Sequence, residues 1–235
     1  MQTKKELVEG VVVLGGNGVI GSEICKLLNK RKKPTIATYC HREPEANSHY
    51  KYIKNIRYDM FKDDVDHSLF SFAEKEDIEI KGLVVSMYSK DKGVSLLKNL
   101  EARICVTDKF AKYMMSRKGG SIVLMSSSAG QLPINHNTSR FYAAENGYLD
   151  GYVRGASGNF APNVRINAVA PGIVEQQNSL AGSLHEKFNP SRIPLGRFQT
   201  AEGVAKTVLF LLFGNIDITG QVINVDGGLT SSMIL

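Results

Sequence analysis

Long apolar runs are missing from this chain of 235 residues. Met1-Gln2-Thr3-Lys4-Lys5-Glu6 leads into only a short apolar stretch, so neither a signal peptide nor a membrane span is expected, and the expected location is the cytoplasm. Cysteine is scarce as well. Cys25, Cys40 and Cys105 have no paired or ligand-like spacing, so no disulfide, zinc or other metal site is expected. No internal repeat, low-complexity tract or break in composition divides the chain, and residues 1–235 read as one domain. Nor is charge of one sign concentrated. The net charge of +6 comes from scattered lysines, and the single run Lys30-Arg31-Lys32-Lys33 falls at an expected helix end, where cations suit the helix dipole. A nucleic-acid partner is not expected, whereas an anionic cofactor or acidic substrate fits the sign.

What is present is an alternation of short β-branched runs with longer helical patterns, which points to βαβ units and a parallel sheet. Strands are expected at 11–14, 35–39, 56–58, 83–85, 122–125, 164–167 and 222–225, and helices near 19–30, 64–76, 93–117, 140–159 and 201–213. Such an order gives a Rossmann-type doubly wound α/β sheet of about seven parallel strands in three layers. The long helices 93–117 and 140–159 carry apolar residues on more than one face, so a homodimer or homotetramer through them is expected.

Directly after the first strand comes Gly15-Gly16-Asn17-Gly18-Val19-Ile20-Gly21, which contains G-x-G-x-x-G. Glycine is required where backbone approaches a pyrophosphate and where helix meets strand, and the helix N-terminus then faces the anion. Dinucleotide contacts are therefore expected from Gly15, Asn17, Gly18, Val19, Ile20 and Gly21. The second strand ends Tyr39-Cys40-His41-Arg42, with no carboxylate to hold ribose hydroxyls. His41 and Arg42 suit a 2′-phosphate instead, so NADP(H) is favoured over NAD(H).

Four later segments occur in a recognisable order: Gly120 to Gly130, reading Gly-Ser-Ile-Val-Leu-Met-Ser-Ser-Ser-Ala-Gly, then Phe141-Tyr142-Ala143-Ala144, then Arg165 to Gly172, then Thr219 to Gly228. With the glycine turn they resemble the short-chain dehydrogenase/reductase family over nearly the whole chain, and most of all its 3-oxoacyl-carrier-protein reductase branch. The resemblance implies that Ser127 binds the substrate carbonyl and that Tyr142 exchanges a proton with it. It also implies that Asn99 supports a proton relay and that Asp59 and Met60 contact the adenine. Pro171, Gly172 and Val174 would lie beside the nicotinamide. Tyr148 and Tyr152 read as packing residues, and the stretch of about 173–195, with Leu180, Leu184 and Phe188, as an apolar substrate loop.

The chain departs from the family where its chemistry is most demanding. The family's lysine, four residues after the tyrosine and one helical turn away, lowers the tyrosine's pKa and holds the nicotinamide ribose. Here Tyr142-Ala143-Ala144-Glu145-Asn146 puts a neutral amide at that position. Asn146 offers hydrogen bonds without charge, so slow or redirected chemistry is expected. Lys90 and Lys92, in a shortened loop, are the candidates for a substitute cation, while Arg140 points off the tyrosine's face. Val85-Ser86-Met87-Tyr88 stands in place of Asn-Asn-Ala-Gly, with Ser86 counted among the cofactor contacts. Gln176 replaces a threonine after Pro171-Gly172. The implied activity is reduction of a carbonyl, on a small molecule or a carrier-protein thioester. A catalytically impaired subunit, a dinucleotide sensor, and a dehydratase or isomerase are the alternatives.

Overall fold

The computed structural model describes residues 7–41, 49–89, 91, 93–132, 137–175 and 188–232. Seven strands form one parallel sheet: β1 (Val8–Leu14), β2 (Thr35–Tyr39), β3 (Ile53–Arg57), β4 (Ile78–Val85), β5 (Gly120–Met125), β6 (Val164–Pro171) and β7 (Val222–Val225). Their spatial order is β3-β2-β1-β4-β5-β6-β7. The helices are α1 (Val19–Lys30), α2 (Ser71–Lys75), α3 (Leu96–Met115), α4 (Asn137–Phe160) and α5 (Ala201–Leu209).

The strand period of two explains the layers. Val11 and Val13 face the side covered by α1 and α5, while Val12 and Leu14 face the side covered by α2, α3 and α4. All four are fully buried, and burial of such side chains is worth roughly 1.5–3 kcal/mol each. A sheet buried on both faces reads as a continuous apolar run, as Val11-Val12-Val13-Leu14 does.

Some boundaries differ from expectation. The third strand runs Ile53–Arg57 rather than 56–58, because Thr35 pairs with Ile53 and Tyr39 with Arg57 in the ladder. Tyr58 lies beyond the strand, although its N–H still donates to the Tyr39 carbonyl at 2.8 Å. The first long helix begins at Leu96 rather than 93, since the Ser95 hydroxyl caps it by accepting from the Lys98 amide. Helix α4 starts at Asn137, before the expected 140.

Strand order reverses between β1 and β4. In an open parallel sheet the crevice at such a reversal, outside the carboxyl ends of the strands, is where ligands bind. The exits of β1, β4, β5 and β6 therefore bring Gly15, Ser86, Ser127 and Pro171 to one edge. Among the described residues no cluster of His, Cys, Asp and Glu is arranged to hold a metal, and no helix is long and apolar enough to cross a membrane. The three cysteines are free thiols.

Candidate active site

The turn from β1 into α1 is held by backbone. Gly15 N–H donates to the Thr38 hydroxyl at 3.0 Å and Gly16 N–H to the Thr38 carbonyl at 2.9 Å. Helix α1 begins at Val19 with Gly18 at its cap, and no side chain caps it, which leaves a positive dipole end facing the crevice. A Cβ at Gly21 would lie 2.1 Å from the Gly15 carbonyl oxygen, so only glycine lets the helix press against the turn. Asn17 and Val19 are exposed, and Ile20 packs into the α1–α5 side of the core. On the neighbouring strand, Ser86 N–H donates to the Leu14 carbonyl at 2.9 Å.

The adenine side is partly described. His41 is exposed just past β2, while Arg42 lies outside the described residues, as do Lys90, Lys92, Gln176, Leu180 and Leu184. Asp59 is buried, and its carboxylate accepts from the Phe61 amide at 3.0 Å. Met60 packs against the core beside it.

The serines after β5 have three different surroundings. Ser126 is buried and donates to the Asp150 carboxylate at 2.6 Å. Ser128 is buried too. Ser127 is half-buried in extended backbone, and its hydroxyl oxygen accepts from the Ala129 amide at 3.2 Å, which leaves its own proton to donate. The short 3₁₀ turn Ser128–Gly130 then presses against α4. A Cβ at Gly130 would lie 2.6 Å from the Gly147 amide nitrogen and 2.8 Å from the Asn146 carbonyl carbon, so glycine keeps the serine turn against the Asn146 position.

Tyr142 is partly exposed on α4, and its ring meets Tyr88 edge-on with centroids 5.9 Å apart. The bulky residue in the β4 exit loop thus forms a wall of the tyrosine's surroundings. Asn146 is buried, and its amide nitrogen turns back to the Tyr142 carbonyl at 2.8 Å, one helical turn away. One amide N–H of Asn146 is therefore engaged within the helix. Asn99, expected in a proton relay, has both ends of its amide on the backbone of Ser89: the oxygen accepts at 2.9 Å and the nitrogen donates at 3.3 Å. Its side chain fastens the β4 exit loop to α3. Tyr152 does pack, donating to the Asp108 carboxylate at 2.6 Å, whereas Tyr148 is exposed and touches no core.

Beneath Tyr142 lies a buried ion pair. Arg103 of α3 and Glu145 of α4 are 4% and 2% exposed in their side chains, and Nη1 stands 3.5 Å from Oε1. Nη2 donates to the Met125 carbonyl at the end of β5. Among the described residues, Nε of Arg103 and Oε2 of Glu145 have no hydrogen-bond partner. Burial pushes the Glu145 carboxyl up, against the opposing pull of Arg103. The guanidinium is pushed down by burial and sustained by Glu145 and Tyr142, yet stays charged because its ordinary value is so high.

At the end of β6, Gly172 N–H donates to the Val225 carbonyl at 3.0 Å, and Val174 bridges to Gln199. Gln199 is buried, with Oε1 directed at Gly172 and without a hydrogen-bond partner among the described residues. A separate polar cavity of about 580 Å³ lies along α4, lined in part by Gln131, Asp150, Arg154 and Gln221. It is not the crevice of the strand exits.

Sequence reasoning missed Arg103, Glu145, Asp150 and Gln199. Arg103 left a trace, since it occupies the same helical stripe as Asn99, Val106 and Phe110, where a charge is out of place. Gln199 left none.

A doubly wound parallel sheet with a glycine turn at its switch point and a serine and tyrosine beyond its carboxyl edge defines a Rossmann-type α/β protein. A family model described as Enoyl-(Acyl carrier protein) reductase matches residues 84–230. Over 239 residues the chain is 30% identical to Carbonyl reductase family member 4 of Xenopus tropicalis, covering 94% of this chain and 98% of that protein. It is 37% identical over 151 residues to the 3-oxoacyl-(acyl-carrier-protein) reductase FabG of Thermotoga maritima, which covers 63% of this chain and spans 60% of the relative's length. The solved structure "ElxO with NADP Bound" superposes with a TM-score of 0.79 at 25% identity, covering 96% of this chain and 99% of that one. The chain belongs to the short-chain dehydrogenase/reductase family of oxidoreductases.

Proposed function

We propose that this protein is an NADP(H)-dependent carbonyl reductase whose substrate is a 3-oxoacyl thioester or a related small carbonyl compound. The observation that carries the reading is an uncapped helix N-terminus at the β1 exit, with Ser127 following the exit of β5 and the Tyr142 ring against Tyr88 of the β4 exit. The close packing of helix on turn supports a phosphate cradle there, since at Gly21 any side chain would collide with Gly15. The NADP named in the ElxO structure supports the phosphorylated cofactor, as does a β2 exit without a carboxylate, where His41 and Arg42 would meet the 2′-phosphate. The carrier-protein reductases among the relatives support the thioester.

A bound nicotinamide supplies the hydride. Turn residues Gly15, Asn17, Gly18, Val19 and Ile20 would lie along the phosphates, with Ser86, Asp59 and Met60 toward the adenosine and Pro171, Gly172 and Val174 toward the nicotinamide. Ser127 donates its hydroxyl proton to the substrate oxygen as a hydrogen bond and fixes the carbonyl. Tyr142 gives that oxygen a proton as charge builds on it and recovers one from solvent. Apolar side chains exposed on α3 and α4, among them Leu97, Phe141 and Tyr148, support self-association through these helices.

Tyr142→Phe tests the chemistry. It should lower turnover of a 3-oxoacyl thioester roughly 10²–10⁴-fold while leaving NADPH affinity unchanged. Full turnover in that variant would remove Tyr142 from the mechanism. The inward commitment of Asn146 and Asn99 favours a second reading, a dinucleotide sensor or inactive partner subunit. That reading predicts NADPH binding without turnover.

A further inference from the structure

We infer that Asp150 is a positioning residue: its carboxylate fastens the turn that carries Ser127 to the helix that carries Tyr142. The inference rests on the reductase reading and names what sets the spacing of that site's two hydroxyl groups. Ser127 follows β5 and Tyr142 stands on α4, so their mutual placement depends on whatever joins the two elements. Asp150 lies on α4 about two turns beyond Tyr142, on the side of the helix that meets the serine turn.

Asp150 is 3% exposed, and a carboxylate withdrawn that far from water must be held by hydrogen bonds to its oxygens. Oδ1 accepts from the Ser126 hydroxyl at 2.6 Å and Oδ2 from the Gln131 side-chain amide at 3.0 Å. Those two residues flank the turn, one just before Ser127 and one just after Gly130, so a single group grips both ends. Between them the turn closes on itself: Ala129 N–H donates to the Ser127 hydroxyl at 3.2 Å and Gly130 N–H to the Ser127 carbonyl at 3.0 Å. Gln131 and Asp150 also line the polar cavity along α4, so on that side the turn is held by hydrogen bonds rather than by packing. Because a carboxylate only accepts, Gln131 turns its NH₂ toward Asp150 and its oxygen toward Asn224, whose amide donates to it at 2.7 Å. The direction of each bond in the chain is thereby fixed.

That polarity permits an exchange test. Asp150→Asn keeps an acceptor for Ser126 but sets one amide NH₂ against another at Gln131. Gln131→Glu sets two carboxylates against each other. Asp150→Asn/Gln131→Glu exchanges acid and amide and restores every bond, since the carboxylate now at position 131 accepts from both position 150 and Asn224. Steady-state kinetics with NADPH and a 3-oxoacyl thioester are measured for each, with NADPH affinity by fluorescence. Each single substitution should lower kcat/KM roughly tenfold at unchanged NADPH affinity, and the exchange should recover it. In a Ser127→Ala background Asp150→Asn should cost less than about twofold, because the group it positions is gone. An equal loss in both backgrounds, wild-type kinetics in Asp150→Asn, or no recovery in the exchanged pair would overturn the inference. Should Asp150→Asn not fold, Gln131→Leu, at an exposed position, replaces it in both backgrounds with the same expected and refuting results. Deuterium exchange of the 126–131 amides in cofactor-free protein gives a readout without activity. It should be faster in Asp150→Asn and return to the wild-type rate in the exchanged pair, and an unchanged rate in Asp150→Asn refutes the fastening. The expected exchange pattern in a protein that turns over no thioester, wild type included, would uphold the fastening while discarding the reductase reading.

Discussion

Arg103→Met strands the Glu145 carboxyl where only 2% of its side chain meets solvent. Breaking a buried ion pair at one end costs about 3–5 kcal/mol, because the remaining charge has neither water nor partner. For a chain of this size each kcal/mol moves the melting temperature by roughly 2–4 °C, so a fall of about 6–20 °C at neutral pH is expected. The deficit also depends on pH. Burial already raises the Glu145 carboxyl above its ordinary value of 4.5, and without Arg103 nothing opposes that rise. An acid whose folded-state pKa is raised keeps its proton in the folded protein after the unfolded chain has released it. Its contribution is therefore fully present below the unfolded value and is lost as pH rises through the folded one. The penalty should be small in acid and grow toward neutrality. Arg103→Met/Glu145→Leu removes both charges and should melt close to, or above, the wild type. Thermal melts of both variants at acid and neutral pH measure this. Equal melting of the single and double variants at pH 7 would refute the account of the pair.

Two further substitutions probe the turn and the serines. Gly21→Ala places a Cβ 2.1 Å from the Gly15 oxygen, which must force the turn open and should weaken NADPH binding roughly tenfold or more in a fluorescence titration; wild-type affinity would show that the turn is not the phosphate site. Ser126→Ala removes a hydrogen bond to buried Asp150 and should cost about 1–3 kcal/mol of stability in urea unfolding, whereas Ser127→Ala should spare stability and lower turnover. Reversed results would exchange the roles of the two serines.

The fold was legible because its signals are local. Val11-Val12-Val13-Leu14 before a glycine turn states a buried parallel strand entering a helix, and β4, β5 and β6 repeat the buried apolar run. Ser127, Tyr142 and Asn146 stand in motifs contained within one strand or one helix, so the family resemblance reaches them without long-range information. What could not be read was how side chains from different elements meet. The Arg103–Glu145 pair joins residues far apart in sequence, and nothing local to either marks the other. Asn99 sits at the expected position, but its partner is the backbone of Ser89, and loop backbone leaves no sequence pattern. The third strand was misplaced for a similar reason, since its register is set by β2 rather than by its own residues.

Cofactor recognition at the β1–α1 turn underlies every functional role assigned to this chain. Titrating the wild-type protein with NADPH and NADH, followed by fluorescence, should give saturable binding of both and tighter binding of NADPH, with NADPH consumed when a 3-oxoacyl thioester is added. Absence of binding by either nucleotide would contradict it.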